Sequence, residues 1–112
     1  MSLSIPAHLE ALSAIERNME SAGLRPVHLR ILALLCANDF VNLTSISEVM
    51  GNSMPVTSRH TAALIKGKYV ERRHFPEDLR VIELRATKRG RELDARIQRQ
   101  LIAAPIDASQ AA

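Results

Sequence analysis

The chain has 112 residues, 46% of them hydrophobic and 24% charged, with only four glycines and five prolines. That balance excludes disordered and fibrous classes and fits one domain. Its longest apolar run, Ile31 to Ala37, is far short of the roughly 20 residues that cross a bilayer. One cysteine excludes an internal disulfide framework, and with no signal-peptide pattern the default address is cytoplasmic.

The net charge of +3 hides an asymmetry. Up to Ile65 there are four basic residues against five acidic, whereas Lys66 to Arg99 holds eleven basic against six acidic. A local excess of that kind attracts polyanions, chiefly nucleic-acid phosphates, or else forms a solvated, salt-bridged face.

The first element is a helix opening at Ser4-Ile5-Pro6, with Leu12, Ile15, Met19 and Ala22 on one narrow stripe and Gly23 as its stop. A stripe that narrow packs on another helix of the same domain or on a partner chain. Arg25-Pro26 opens a second helix running to Ala37, apolar nearly all round and so expected in the core. Cys36 lies four residues after Leu32 and four before Phe40, which points to packing rather than redox sensing.

Phe40-Val41 reads as a short extended piece, and Asn42 as the N-cap of a third helix, Leu43 to Met50. Gly51-Asn52-Ser53 is a turn, and Ser53 caps a fourth helix that runs to Lys66 with Pro55 in its first turn. Thr57, Thr61 and Leu64 form its inner stripe. Two short helices joined at a glycine turn make a helix-turn-helix. Tyr69 to His74 and Val81 to Arg85 alternate as strands, with Phe75 to Arg80 as the hairpin tip. Thr87 caps a last long helix with Leu93, Ile97 and Leu101 at four-residue spacing, and Pro105 and the Ala/Ser/Gln tail end it. The expected fold is mainly α with a small β-hairpin wing, a winged helix-turn-helix flanked by N- and C-terminal helices. Residues 1–23 form the N-terminal helix, 24–86 the DNA-binding domain, and 87–112 the C-terminal helix and tail.

From about Leu24 to Ile97 the sequence resembles the MarR family of bacterial transcriptional regulators. The segment from Tyr69 to Arg80 is similar to that family's strand and wing, with Asp78-Leu79-Arg80 as its Asp-x-Arg. Ala86 to Leu93 resembles the start of the dimerisation helix, with Thr87 and Gly90 in register, and Ile46 to Gly51 the first helix of the helix-turn-helix. Three departures stand. Lys68 occupies the place of a family glycine, with Gly67 just before it, so either Lys68 takes positive φ or the helix ends one residue earlier. Ala86 replaces the usual leucine. The chain also stops soon after Pro105, short of a full second C-terminal helix, so a monomer or another dimer stands beside the usual one.

The chemistry of a recognition helix asks for short polar and cationic groups that reach base edges in the major groove. Those expected to face outward are Pro55, Val56, Ser58, Arg59, His60, Ala63 and Lys66, with Arg59 the candidate for bidentate guanine readout. Arg80 at the wing tip would enter the minor groove, and the resemblance implies that Asp78 holds its guanidinium. Lys68, Arg72 and Arg73 would contact phosphates. Leu12, Ile15, Met19, Leu93, Ile97 and Leu101 are the expected homodimer surface, and two recognition helices then read a palindromic operator of double-stranded DNA.

The resemblance also implies small aromatic effectors, none of which the sequence identifies; its aromatics are Phe40, Phe75 and Tyr69. His8, His28, His60 and His74 lie far apart in sequence, no cofactor or metal motif appears, and no catalytic residue is expected. Two other readings are a winged helix used as a protein-interaction module and a nonspecific DNA-binding factor of a mobile element. Arginines on both the recognition helix and the wing tip favour DNA, and a salt slope without sequence preference would favour the nonspecific factor.

Overall fold

The computed structural model describes Leu3 and residues 5–103, the side chains of Phe75, Leu79 and Ala103 excepted. In chain order the elements are α1 (Ala7–Ala22), α2 (Pro26–Ala37), β1 (Val41–Asn42), α3 (Leu43–Met50), α4 (Met54–Lys66), β2 (Val70–Phe75), β3 (Asp78–Ala86) and α5 (Lys88–Ala103). The strands form one antiparallel sheet in the order β1-β3-β2. Pro105 and the tail lie outside the described residues.

The helix boundaries follow local chemistry. Gly23 and Gly51 end α1 and α3 in the left-handed conformation, at φ of 71° and 69°, which costs glycine nothing. Asn42 Oδ1 accepts the Ser45 N–H at 2.7 Å, so the first turn of α3 keeps a partner for one orphan donor. Ile31, Leu32 and Leu35 of α2 are fully buried, with Ile46, Leu64 and Leu84 packed around them. This helix is the centre of the core.

Three details differ from the sequence reading. β3 starts at Asp78 rather than Val81, so the hairpin tip shrinks to Pro76-Glu77. The ladder pairs Arg72 with Leu84, Arg73 with Glu83 and His74 with Ile82, then shifts register so that Phe75 faces Asp78. The irregularity there leaves residues 79–81 without a ladder partner and adds one further pair at Asp78, among residues whose polarity suggested a loop. The extended piece after α2 is Val41-Asn42, held by pairing with Leu84 and Glu83.

Between α4 and β2 it is Lys68 that takes positive φ, at 63°, while Gly67 stays right-handed at −77°. Glycine is nevertheless needed at 67. A Cβ there would meet the Tyr69 ring at 2.7 Å. Lys68 is the left-handed residue of the helix C-cap, its N–H donating to Ile65 O at 2.9 Å and that of Tyr69 to Leu64 O at 3.0 Å, at a penalty of about 1 kcal/mol.

The expected dimer surface is largely internal. Ile15, Met19, Leu93 and Ile97 are buried in this chain's own core, because α1 packs on its own α5. Asn18 Nδ2 donates to Gln100 Oε1 across that seam at 2.9 Å. Leu12 and Leu101 alone of the six remain open, at 49% and 52% exposure.

Candidate nucleic-acid interface

Helix α4 owes its placement to its inner stripe. Thr57, Thr61 and Leu64 are buried, and Thr61 Oγ1 donates to Ser58 O at 3.0 Å. Thr57 Oγ1 is buried without a hydrogen-bond partner among the described residues. Ser53 caps the helix, its Oγ accepting from Val56 N at 3.4 Å, and Pro55 sits in the first turn where no N–H is needed.

With that stripe inside, Pro55, Ser58, Arg59, Ala62 and Lys66 are exposed, at spacings of three and four that define one face. Arg59 makes no hydrogen bond or ion pair among the described residues, so its guanidinium is available to a ligand. Val56, His60 and Ala63 are half-buried at the flanks. Ala62 is absent from the sequence reading. Its spacing from Ser58 and Arg59 was the signal, but a methyl group offers no polar chemistry to notice.

The wing sorts its charges by face, because side chains alternate along a strand. Glu71 and Arg73 share one face of β2. Arg73 Nη2 lies 2.8 Å from Glu83 Oε1, Arg85 pairs with Glu71, and the Arg73 and Arg85 guanidiniums sit 3.6 and 4.8 Å from the centroid of the Phe40 ring. Arg73 is therefore tied into a ladder of pairs, which sets it apart from the other expected phosphate contacts. Arg72 lies on the opposite face and, with Ser58, Thr61 and Ala62 of α4, borders a small depression beside that helix. Lys68 is exposed at the base of the wing.

In the outer part of β3, two residues after its start, the Arg80 side chain is 93% exposed. Asp78 Oδ1 accepts from Arg80 Nε at 3.1 Å and from the Arg80 backbone N–H at 3.0 Å. Those two bonds, the side-chain one foremost, hold the Asp78 carboxyl below the usual carboxylate range. Asp78 thus aims the guanidinium while four of its five donors stay open. Arg80 also borders a groove of about 220 Å³ with Asn42, Thr44, Met54 and Ile82, so wing tip and the starts of α3 and α4 adjoin.

Among the described residues no three His, Cys, Asp or Glu side chains come together as a metal site, and no helix is long and apolar enough to cross a membrane. His28 and His60, 32 positions apart in the sequence, do meet, with ring centroids 5.2 Å apart.

Cys36 is half-buried, and its thiol is pushed up to about 11, first by burial and then by the charge and hydrogen bond of Asp94, with Arg91 opposing. We expect alkylation of folded Cys36 near neutral pH to run about tenfold slower than in the unfolded chain. Equal rates, followed by mass spectrometry, would restore a reactive thiol.

The fold has clear counterparts among solved structures. The S. aureus MepR–DNA complex superposes with a TM-score of 0.79 at 16% identity, covering 91% of this chain and 83% of that one. The transcriptional repressor CouR, bound to a 23-mer DNA duplex, gives 0.71 at 26% identity over 88% of this chain and 69% of that one. A structure described as a MarR family transcription regulator gives 0.71 at 22% identity, over 81% and 60%. This chain has the MarR winged-helix fold. By sequence alone, no family model and no curated protein matches it. In the MarR-like frame α3 and α4 are the helix-turn-helix and the β2–β3 hairpin is the wing.

Proposed function

We propose that the protein is a sequence-specific, double-stranded DNA-binding transcription regulator of the MarR type, a binding protein and not an enzyme. The observation that carries this reading is the placement of two accessible arginines. Arg59 stands on the exposed face of α4 with no hydrogen-bond or ion-pair partner among the described residues, and Arg80 stands in the outer part of the wing, aimed by Asp78. An arginine on α4 suits a guanine edge in the major groove, and one on the wing suits the minor groove beside it. MepR and CouR, which share the fold, are in complexes with DNA.

In this reading α4 enters the major groove. Arg59 reads a guanine edge, Ser58 and His60 reach bases or phosphates, and Val56 and Ala62 offer methyl groups to thymine. Pro55 and Lys66 border the contact at either end. Lys68 and Arg72 neutralise phosphates, adding affinity and salt dependence without sequence information. Arg73 joins them only by leaving Glu83.

The homodimer surface moves to what is left open. Leu9 and Leu12 near the start of α1, and Leu101 and Ile102 near the end of α5, are exposed apolar side chains on helices that lie together. A second copy seated there would bring two recognition helices to one DNA face. A groove of about 410 Å³ between α1, α2 and α5, lined by Leu12, Met19, Leu29, Ile97 and Leu101, has room for a small aromatic effector. NadR, of the same fold, is in complex with 4-hydroxyphenylacetate.

Selection from a randomised duplex pool tests the reading. An inverted repeat with half-sites roughly 10 base pairs apart is expected. A single half-site would sink the dimer and keep the DNA reader, while an unenriched pool would sink sequence-specific binding.

A further inference from the structure

The solvent side of the sheet carries a stack that the expected DNA contacts leave aside. Side chains alternate along β3, so Leu84 is buried and Ile82 packs against the core, while Glu83 and Arg85 take the other face. There the cross-strand partners are opposite charges: Glu71 lies across from Arg85, and Arg73 across from Glu83. Arg73 donates to Glu83 Oε1 from Nε at 3.0 Å and from Nη2 at 2.8 Å, and Arg85 donates to Glu71 Oε1 from Nε at 2.8 Å. Exposed ion pairs by themselves contribute little, because water competes for both partners.

Phe40 sets these two pairs apart. It directly precedes β1, whose Val41 pairs with Leu84, and it is half-buried. The guanidinium carbon of Arg73 lies 3.6 Å from its ring centroid and that of Arg85 4.8 Å, both inside the roughly 6 Å reach of a cation–π contact. One ring therefore takes two guanidiniums that their carboxylates already orient. The ring belongs to the segment between α2 and β1, and the arginines belong to β2 and β3. The stack thus ties both strands of the hairpin to the helical body on the face that has no core of its own.

It is also the last brace before Arg80. The regular ladder ends at His74–Ile82, residues 79–81 have no ladder partner, and Phe75 faces Asp78. Asp78 orients Arg80 only locally, since both lie in that same outer stretch. The direction in which the stretch leaves the sheet is set by the final rungs. One of these is Arg73–Glu83, three residues from Arg80 along β3 and seated on Phe40.

We propose that Phe40 is a positioning residue for the wing, an inference that rests on the reading of Arg80 as a DNA contact. By stacking on Arg73 and Arg85 it holds the hairpin at one angle to the helical body, so Arg80 meets DNA already placed. Without the ring the pairs become ordinary exposed ones and the hairpin swings. DNA must then order it, and binding weakens.

The test measures binding of a labelled duplex pool at low salt by the wild type, Phe40→Leu, Arg80→Ala and the double variant. Leucine keeps an apolar side chain and removes the ring face. Phe40→Leu is expected to weaken binding about fivefold, the size of one or two exposed stacks. With Arg80 already alanine the same change should cost less than about twofold, since nothing is left to position. Phe40→Tyr, which keeps the ring face, should bind as the wild type does. A merely structural Phe40 would lower affinity by the same factor in both backgrounds. That result overturns the proposal, as does no loss in either background, or a tyrosine variant as weak as the leucine one. Absence of binding by the wild type would instead refute the DNA-binding reading. Amide relaxation by NMR on the protein without DNA then judges the brace itself. Order parameters at Arg80 and Val81 should fall below about 0.6 in Phe40→Leu, and values equal to those of the wild type overturn the proposal.

Discussion

Gly90→Ala is expected to destabilise the protein by about 3 kcal/mol, at the upper end of the usual overpacking cost. A Cβ at this position would lie 2.1 Å from the Tyr69 carbonyl oxygen and 3.0 Å from Leu32 Cδ1. The first of these neighbours is backbone, and it is pinned. Tyr69 O accepts the Thr87 N–H at 3.0 Å, Lys68 O accepts from Thr87 Oγ1 at 2.7 Å, and Thr87 Oγ1 accepts the Gly90 N–H at 3.1 Å. Opening space for a methyl group therefore means breaking the joint between α5 and the base of the wing. The sign is informative, because in an unconstrained helix the same change would stabilise by up to about 1 kcal/mol. Urea unfolding measures it, and a loss below about 1 kcal/mol would show that the joint yields.

Arg59→Ala is expected to weaken binding to the selected operator by about 10- to 100-fold, the value of one bidentate arginine–guanine contact of roughly 1–3 kcal/mol. The loss should be confined to the base pair that Arg59 reads, so that duplexes altered at that position bind wild type and variant alike. Stability should be unchanged, since the side chain is exposed and makes no hydrogen bond or ion pair with another described residue. Competition with single-base-pair operator variants separates the cases. An equal loss on every sequence would reduce Arg59 to a phosphate contact.

What was legible in the sequence was local. Asn42 and Ser53 announced their helices because an N-cap acts within one turn, and Thr57, Thr61 and Leu64 marked the inner face of α4 by spacing alone. Asp78 and Arg80 sit two apart on one strand, so their contact also needed no tertiary information. The Leu12/Ile15/Met19 and Leu93/Ile97/Leu101 stripes show the limit of periodicity. It reveals an apolar face without saying what covers it, and here four of the six residues are covered by the chain itself. The start of β3 was hidden because Asp78 and Arg80 are polar residues in an exposed hairpin, and the pairing of Asp78 with Phe75 across a register shift leaves no alternation to read. Lys68 is the subtlest case. It takes the left-handed place in the C-cap of α4 while glycine is held one residue earlier, where a Cβ would meet the Tyr69 ring, a contact that exists only after α4 and β2 are placed. The meeting of His28 with His60 is likewise a product of how α2 packs on α4.

In the proposed regulator, helix α4 and the wing hold DNA together. Fluorescence anisotropy of the wild type and Arg80→Ala on the duplex pool, at two salt concentrations, tests it. Binding that weakens steeply with salt, and weakens further in Arg80→Ala, with a shallower salt slope for the lost cationic contact, is the expected result. No binding at low salt, or binding that ignores Arg80, would contradict it.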